Sequence, residues 1–259
     1  MTSTLAATLL SGGLVGFTLG LLGGGGSILA TPLLIYVVGV AQPHVAIGTG
    51  ALAVAVNAFV NFVNHAAKGH VRWRCGLVFA ALGVIGALGG STLGKAMDGS
   101  KLLFIFGLVM VVVGVLMLKQ RKVLEIAARP VDMRMCAVTA GVALCAGGAS
   151  GFFGIGGGFL IVPALMFATG MPMINAVGTS LLAVTTFGLA TAINYSLSGL
   201  VDWVLAGQFI AGGMVGGIAG TLLATRLSAH KNTLNRIFAG VIFLVAFYVI
   251  YRSLGAMGT

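Results

Sequence analysis

The sequence predicts an all-α, polytopic membrane protein made of two repeats of opposite topology. Three observations carry that prediction: a composition that no soluble surface could support, apolar blocks of bilayer-spanning length, and a residue pattern that recurs in the second half at a near-constant offset. Hydrophobic residues make up 59% of the chain and charged residues 7%, against roughly 25% charged in an ordinary soluble domain. All four acidic residues (Asp98, Glu125, Asp132, Asp202) lie in or beside gaps between apolar blocks, and the 14 Lys and Arg residues lie in those gaps or at block ends.

The first set of blocks covers residues 5–40, 45–66, 75–96 and 102–118; the second covers 135–170, 174–197, 203–225 and 234–250. Most are close to the roughly 20 residues that span hydrocarbon. The first block of each half is longer and is broken by glycines, so about eight blocks should form about ten helical segments. Gly20, Gly23, Gly24, Gly25, Gly26 and Ser27 precede Pro32; Gly151, Gly154, Gly156, Gly157 and Gly158 precede Pro163. The repeat extends further. Gly48-Thr49 matches Gly178-Thr179, Asn64 matches Asn194, and Gly69, Val71 and Trp73 match Gly199, Val201 and Trp203. Residues 1–118 then read as the first membrane repeat, 119–134 as a cytoplasmic connector and 135–259 as the second repeat.

Charge sets the relative orientation. The loop after the second block carries Lys68, Arg72 and Arg74, whereas its counterpart carries only Asp202. By the positive-inside rule the first loop is cytoplasmic and the second external, and equivalent loops on opposite sides mean inverted repeats. The connector (Lys119, Arg121, Lys122, Arg129, Arg134) and the turn from Arg226 to Lys231 then fall inside, and both termini outside. For this count to close, each glycine-broken block must enter and return on one side.

Inside hydrocarbon, a glycine break releases backbone groups that must face protein or a water-filled cavity. Two such breaks at matching places point to a transporter binding site. New helices starting near Ser27 and Gly158 would present unpaired N–H groups and the positive end of a helix dipole, an anion site that needs no charged side chain. The candidate substrate-binding residues are Gly24, Gly25, Gly26 and Ser27 in the first half and Gly156, Gly157 and Gly158 in the second. Thr49, Asn57, Asn61, Thr179, Ser180 and Asn194 join them as hydroxyl and amide donors on related helix faces. Close helix packing and interhelical hydrogen bonding are the bland alternatives for these same residues. The stripes Gly12/Gly16/Gly20, Gly83/Gly86/Gly90 and Gly213/Gly216/Gly220 read as packing surfaces. Trp73 and Trp203, at block starts, read as interface anchors.

Other classes find less support. A net charge of +10 is scattered over short loops, so no nucleic-acid partner is expected. Met1 is followed by no basic n-region, so no removable signal peptide is expected. Cys75, Cys136 and Cys145 show no metal-ligand spacing and read as small packing residues. Gly148-Ala149-Ser150-Gly151 resembles the GxSG of rhomboid intramembrane proteases, but that chemistry needs a histidine base at membrane depth. His44, His65, His70 and His230 all lie at or near block ends. No carboxylate lies within a block, so any coupling must use His65, a substrate proton or Na⁺.

The second half, with Gly147, Gly151, Gly154, Gly156, Gly157, Gly158, Pro163 and Ala176-Val177-Gly178-Thr179-Ser180, resembles the TauE/SafE family of sulfite exporters and sulfonate permeases. The first half departs slightly, with Gly50 for the serine and Ser27 for the last glycine. The resemblance covers nearly the whole chain. It implies a bacterial inner-membrane, multi-pass transporter of sulfite, organosulfonates or related sulfur-containing anions, working by alternating access. An anion channel is the second reading, separated by flux rate and saturation. The partners implied are a small sulfur-containing anion and the lipid bilayer, with a homo-oligomer left open; no catalytic activity, cofactor or metal is signalled.

Overall fold

A computed structural model describes residues 2–119, 133–154, 158–227 and 233–257. Nine helices of twelve residues or more occur among them: α1 (Thr2–Leu22), α3 (Pro43–Ala67), α4 (Trp73–Ala96), α5 (Gly99–Lys119), α6 (Met133–Phe153), α7 (Gly158–Thr169), α8 (Met173–Ser196), α9 (Trp203–Leu227) and α10 (Thr233–Met257). Between α1 and α3 lie a 3-10 segment (Gly23–Leu29), the single-turn α2 (Ala30–Leu33) and a π-helical turn (Leu34–Val38). Five stretches among the described residues are long and apolar enough to cross a membrane.

The local chemistry explains the boundaries. Pro43 opens α3, where its missing N–H costs nothing. Asp98 and Asp202 cap α5 and α9 by accepting the N–H groups of Lys101 at 3.2 Å and Leu205 at 3.0 Å, which places two of the acidic residues at helix starts. Large apolar side chains such as Leu10, Ile85, Leu93, Val215 and Leu244 are exposed around the periphery, the surface that hydrocarbon covers. Trp73 and Trp203 are exposed at the first positions of α4 and α9. Cys145, read as a packing residue, is instead on the exposed side of α6.

Helices α3 and α8 cross at the centre, Gly188 lying against Ala51 and Ala55. Helix α1 packs along α9, and α6 along α4. Both pairings depend on glycine. A Cβ on Gly12, Gly16 or Gly20 would strike the carbonyl oxygen of Phe209, Gly213 or Gly217, and one on Gly147 or Gly151 would strike that of Gly83 or Ala87. These are backbone-to-backbone contacts of the kind small residues permit between membrane helices, as the glycine stripes predict. Helices α5 and α10 form a third pair, with Gly107 against Ile250 and Gly114 against Phe243.

The two halves make matched contacts. The positive-φ glycines fall into the pairs Gly23/Gly154, Gly39/Gly170 and Gly69/Gly199. At Gly23 (φ 65°) and Gly154 (φ 64°) the chain leaves the helix in a left-handed conformation that only glycine adopts without cost. After Gly23 the chain doubles back: Gly26 lies against the backbone of Thr18 and Leu19, and Thr18 Oγ1 donates to the Gly26 carbonyl at 3.3 Å.

The re-entry differs in detail from the sequence-based expectation. A helix does start at Gly158, but in the first half Ser27 lies inside the 3-10 segment and α2 begins only at Ala30. Four consecutive glycines have little preference for α geometry, and Pro32 removes a donor from the next turn. The connector expected at 119–134 lies largely outside the described residues.

Candidate functional site

The two glycine breaks meet. A Cβ on Gly24 would lie 2.6 Å from Gly158 Cα and 2.7 Å from Gly158 O, and one on Gly158 would strike the Gly24 backbone in return. Gly156 and Gly157 lie outside the described residues. Every residue from Gly23 to Ile28 is buried. Ser180, on α8, holds the junction: its Oγ accepts the Gly24 N–H at 3.0 Å and donates to Val177 O at 2.8 Å. Ser27 Oγ donates to Gly24 O at 2.8 Å. Gly24, Ser27, Gly158 and Ser180 therefore form one cluster in which backbone dipoles dominate and no side-chain charge participates. Gly25 and Gly26 sit within the same 3-10 segment.

Thr49 and Thr179 play one role twice. Thr49 Oγ1 accepts the N–H of Asp202 at 2.9 Å, just before α9, and Thr179 Oγ1 accepts the N–H of Arg72 at 3.0 Å, just before α4. Beside them, a Cβ on Gly48 would strike Leu200 O and one on Gly178 would lie 2.7 Å from His70 O. Each threonine thus ties a central helix to the loop that opens a flanking helix of the other half.

Asn57 and Asn61 line the interface of α3 with α1 and α9. Asn61 donates to the Asn57 carbonyl at 2.9 Å and accepts from Thr221 Oγ1 at 3.0 Å. Asn57 is fully buried beside Gly213, and among the described residues neither its amide nitrogen nor its amide oxygen has a hydrogen-bond partner. An unpaired buried amide is costly, which makes Asn57 a candidate for a ligand-facing group. The third position of this stripe is taken by His65, one α-helical step beyond Asn61, whereas Asn64 is half-buried.

Asn194 lies elsewhere. It donates to Ser91 Oγ at 2.5 Å and Thr92 Oγ1 at 3.1 Å and accepts from Lys95 Nζ at 2.8 Å, so its partners belong to α4. Lys95 reaches Ser198 Oγ as well, at 2.9 Å. Thr221, Lys95 and His70 were not among the residues singled out as binding candidates. Thr221 matches Ser91 at the repeat offset, and that match is the sequence signal that could have found it.

Ser150 Oγ is buried, and among the described residues no histidine hydrogen-bonds it. Nucleophilic catalysis requires such a base.

The family model described as "Sulfite exporter TauE/SafE" matches residues 8–249. A probable membrane transporter protein of Xylella fastidiosa (strain 9a5c) is 60% identical over 251 residues, covering 96% of each chain. The probable membrane transporter protein YunE of Bacillus subtilis (strain 168) is 27% identical over 270 residues, covering 93% of this chain and 96% of that relative. No solved structure matches. With long apolar helices, a match over nearly its full length and relatives described as membrane transporters, the chain belongs to the TauE/SafE family of multi-pass membrane transporters.

Proposed function

We propose that this protein is a secondary transporter for sulfite, organosulfonates or related sulfur-containing anions, held near the bilayer midplane where the two glycine breaks meet. The observation that carries this reading is the contact of Gly24 with Gly158. Residues from two halves of the chain converge there on a buried junction lined by backbone. Helix α7 starts at that point, so its first N–H groups and dipole favour an anion. The hydroxyl of Ser180, now engaged with the Gly24 N–H, could rotate to serve a ligand oxygen.

Two inverted repeats, residues 1–118 and 135–259, are part of the same reading. The exchange of Thr49 and Asp202 for Thr179 and Arg72 supports them, as do the matched close packings of α1 on α9 and α6 on α4. Alternating access would follow from rocking these packed units about the fixed junction. Thr49 and Thr179 would act as ties that move with the loops, and Asn57 and Asn61 would line the path.

The test is uptake of labelled sulfite and labelled sulfoacetate into proteoliposomes. The reading expects saturable uptake, competed by other sulfur oxyanions and insensitive to chloride, and weakened by Ser180→Ala. Flux that rises linearly with concentration and accepts chloride would instead describe a channel.

A further inference from the structure

The transport reading leaves open where a driving ion binds. Among the described residues no carboxylate is buried, since Asp98 and Asp202 are exposed. His65 is fully buried. Its Nε2 lies 3.0 Å from the carbonyl oxygen of Gly20, and its Nδ1 lies 3.3 Å from His70 Nδ1. A carbonyl only accepts, so His65 carries its proton on Nε2, its Nδ1 is an acceptor, and His70 donates from Nδ1. His70 Nε2 is then the basic end of the pair, on a half-buried residue in the loop between α3 and α4.

A structural histidine needs only the bond to Gly20. Three further observations exceed that need. The turn at Gly69 folds the chain back so that His70 N–H donates to the His65 carbonyl at 3.0 Å, which sets the second ring against the first. The polar stripe continues inward from His65 through Asn61, Thr221 and Asn57. The equivalent stripe in the other half has Tyr195, Thr191 and Phe187, with Leu200 in place of His70. The imidazole pair therefore belongs to one half only, as a device with one entrance would.

We propose that His65 and His70 form a proton-binding relay that couples anion movement to a proton; this deepens the transport reading and rests on it. A proton arriving at His70 Nε2 makes that ring an imidazolium. The proton on His70 Nδ1 then passes to His65 Nδ1. His70 is left neutral with its proton on Nε2, and His65 becomes an imidazolium that donates from both nitrogens. One proton has entered and one has moved. The new charge lies against Gly20, in the same helix turn that leads to Gly23 and the glycine junction.

The surroundings explain why the proton and the anion would travel together. Among the described residues, the charged side chains on the segments that meet the pair are cations at this end: Lys68, which acts on His70 directly, and Arg72 on its own loop, Arg74 at the start of α4, and Arg226 in the last turn of α9. Helix α1 and the first turns of α8, which meet the pair at Gly20 and Asn175, carry no titratable side chain. Burial, and then the Lys68 charge, hold the His70 pKa below its ordinary value. Among the described residues no carboxylate faces the pair, so an incoming anion supplies the missing countercharge, and each ligand raises the affinity for the other.

Two measurements test this on the full-length protein. In the first, the purified protein with ¹⁵N-labelled histidine is titrated by NMR. The relay expects His65 and His70 to titrate as a coupled pair, with His70→Gln shifting the His65 proton affinity by about tenfold. A His65 ring that keeps one tautomer from pH about 4 to about 9, or that ignores His70→Gln, would overturn it. The second uses labelled sulfoacetate, which stays ionised near neutrality, so any proton that moves with it moves through the protein. Wild type should accumulate it down a pH gradient, whereas His65→Gln and His70→Gln should keep counterflow within about twofold and lose about tenfold of the gradient-driven accumulation. Accumulation that survives in both variants would overturn the coupling. A wild type that does not move sulfoacetate would count against that substrate, and the titration would still decide the proton site.

Discussion

Gly24 and Gly158 press backbone against backbone, so that two segments far apart in the chain share one buried junction. Neither position has room for a methyl group. Gly24→Ala and Gly158→Ala should each cost about 1–3 kcal/mol by overpacking, read as a lowered apparent melting midpoint in detergent. Gly89→Ala is the control, because a Cβ there meets nothing within 4 Å and alanine is the better helix former. Equal effects at all three positions would contradict the packing described here.

Thr49 and Thr179 should behave as equivalents. Replacing either with valine removes the acceptor for one loop N–H, of Asp202 or of Arg72. Each loss should cost about 1–2 kcal/mol, because these loops are only partly buried. The double variant should show the sum of the two, since the sites share no partner. Ser180→Ala should cost more than either, because the Gly24 N–H it abandons is fully buried. The comparison is made on apparent melting midpoints of the four variants, and a silent Ser180→Ala would contradict it.

Asn57→Leu separates binding from packing. Asn57 sits on Gly213 as Phe187 sits on Gly83, with the same side-chain-to-glycine interlock in both halves. An apolar side chain is therefore tolerated at this kind of site, and Asn57 leaves two polar atoms unpaired. The variant should keep or gain stability while sulfite uptake falls about tenfold or more. Unchanged uptake would assign Asn57 a packing role.

His70 gives a pH signature. Burial, then Lys68, lowers its pKa from 6.5, so the folded chain binds this proton less readily than the unfolded one. Its stabilising contribution is fully present above about 6.5 and is lost as pH falls through the folded value. The apparent melting midpoint should drop as pH falls below about 6.5, and His70→Gln should flatten part of that drop. An identical pH profile in the variant would contradict this assignment.

Much of this architecture is legible in the amino-acid order. The apolar blocks mark the helices because hydrocarbon demands long uninterrupted apolar runs, and Gly23/Gly154 and Gly69/Gly199 mark chain reversals because φ is positive there. Partner choice is not legible in the same way. Helix α1 packs along its length on α9, far away in the chain, as well as on the segment that follows it, and the glycine stripes that permit this are alike on several helices. Thr49 and Thr179 looked like substrate donors because buried hydroxyls on a helix face carry no mark of what lies opposite. Their partners are backbone groups of loops in the other half. Asn194 shared the repeat pattern with Asn64, but only Asn194 meets a lysine, Lys95, and position 225 on the other side is a threonine. His70 was hidden because its ring meets His65 only after the turn at Gly69 folds the loop back.

The most direct test of the central claim is thermal stabilisation of the purified protein by sulfite, sulfoacetate, taurine, thiosulfate, sulfate and chloride, repeated with Ser180→Ala and Asn57→Leu. A ligand that binds the folded state raises its stability by mass action, by about 2.7 kcal/mol at a hundred times its dissociation constant. An anion site at the glycine junction predicts stabilisation by a sulfur oxyanion but not by chloride, reduced most in Ser180→Ala, the variant at the junction itself. Stabilisation by no anion, or by a sulfur oxyanion equally in wild type and both variants, would contradict a site at this junction and leave Gly24 and Gly158 as packing residues.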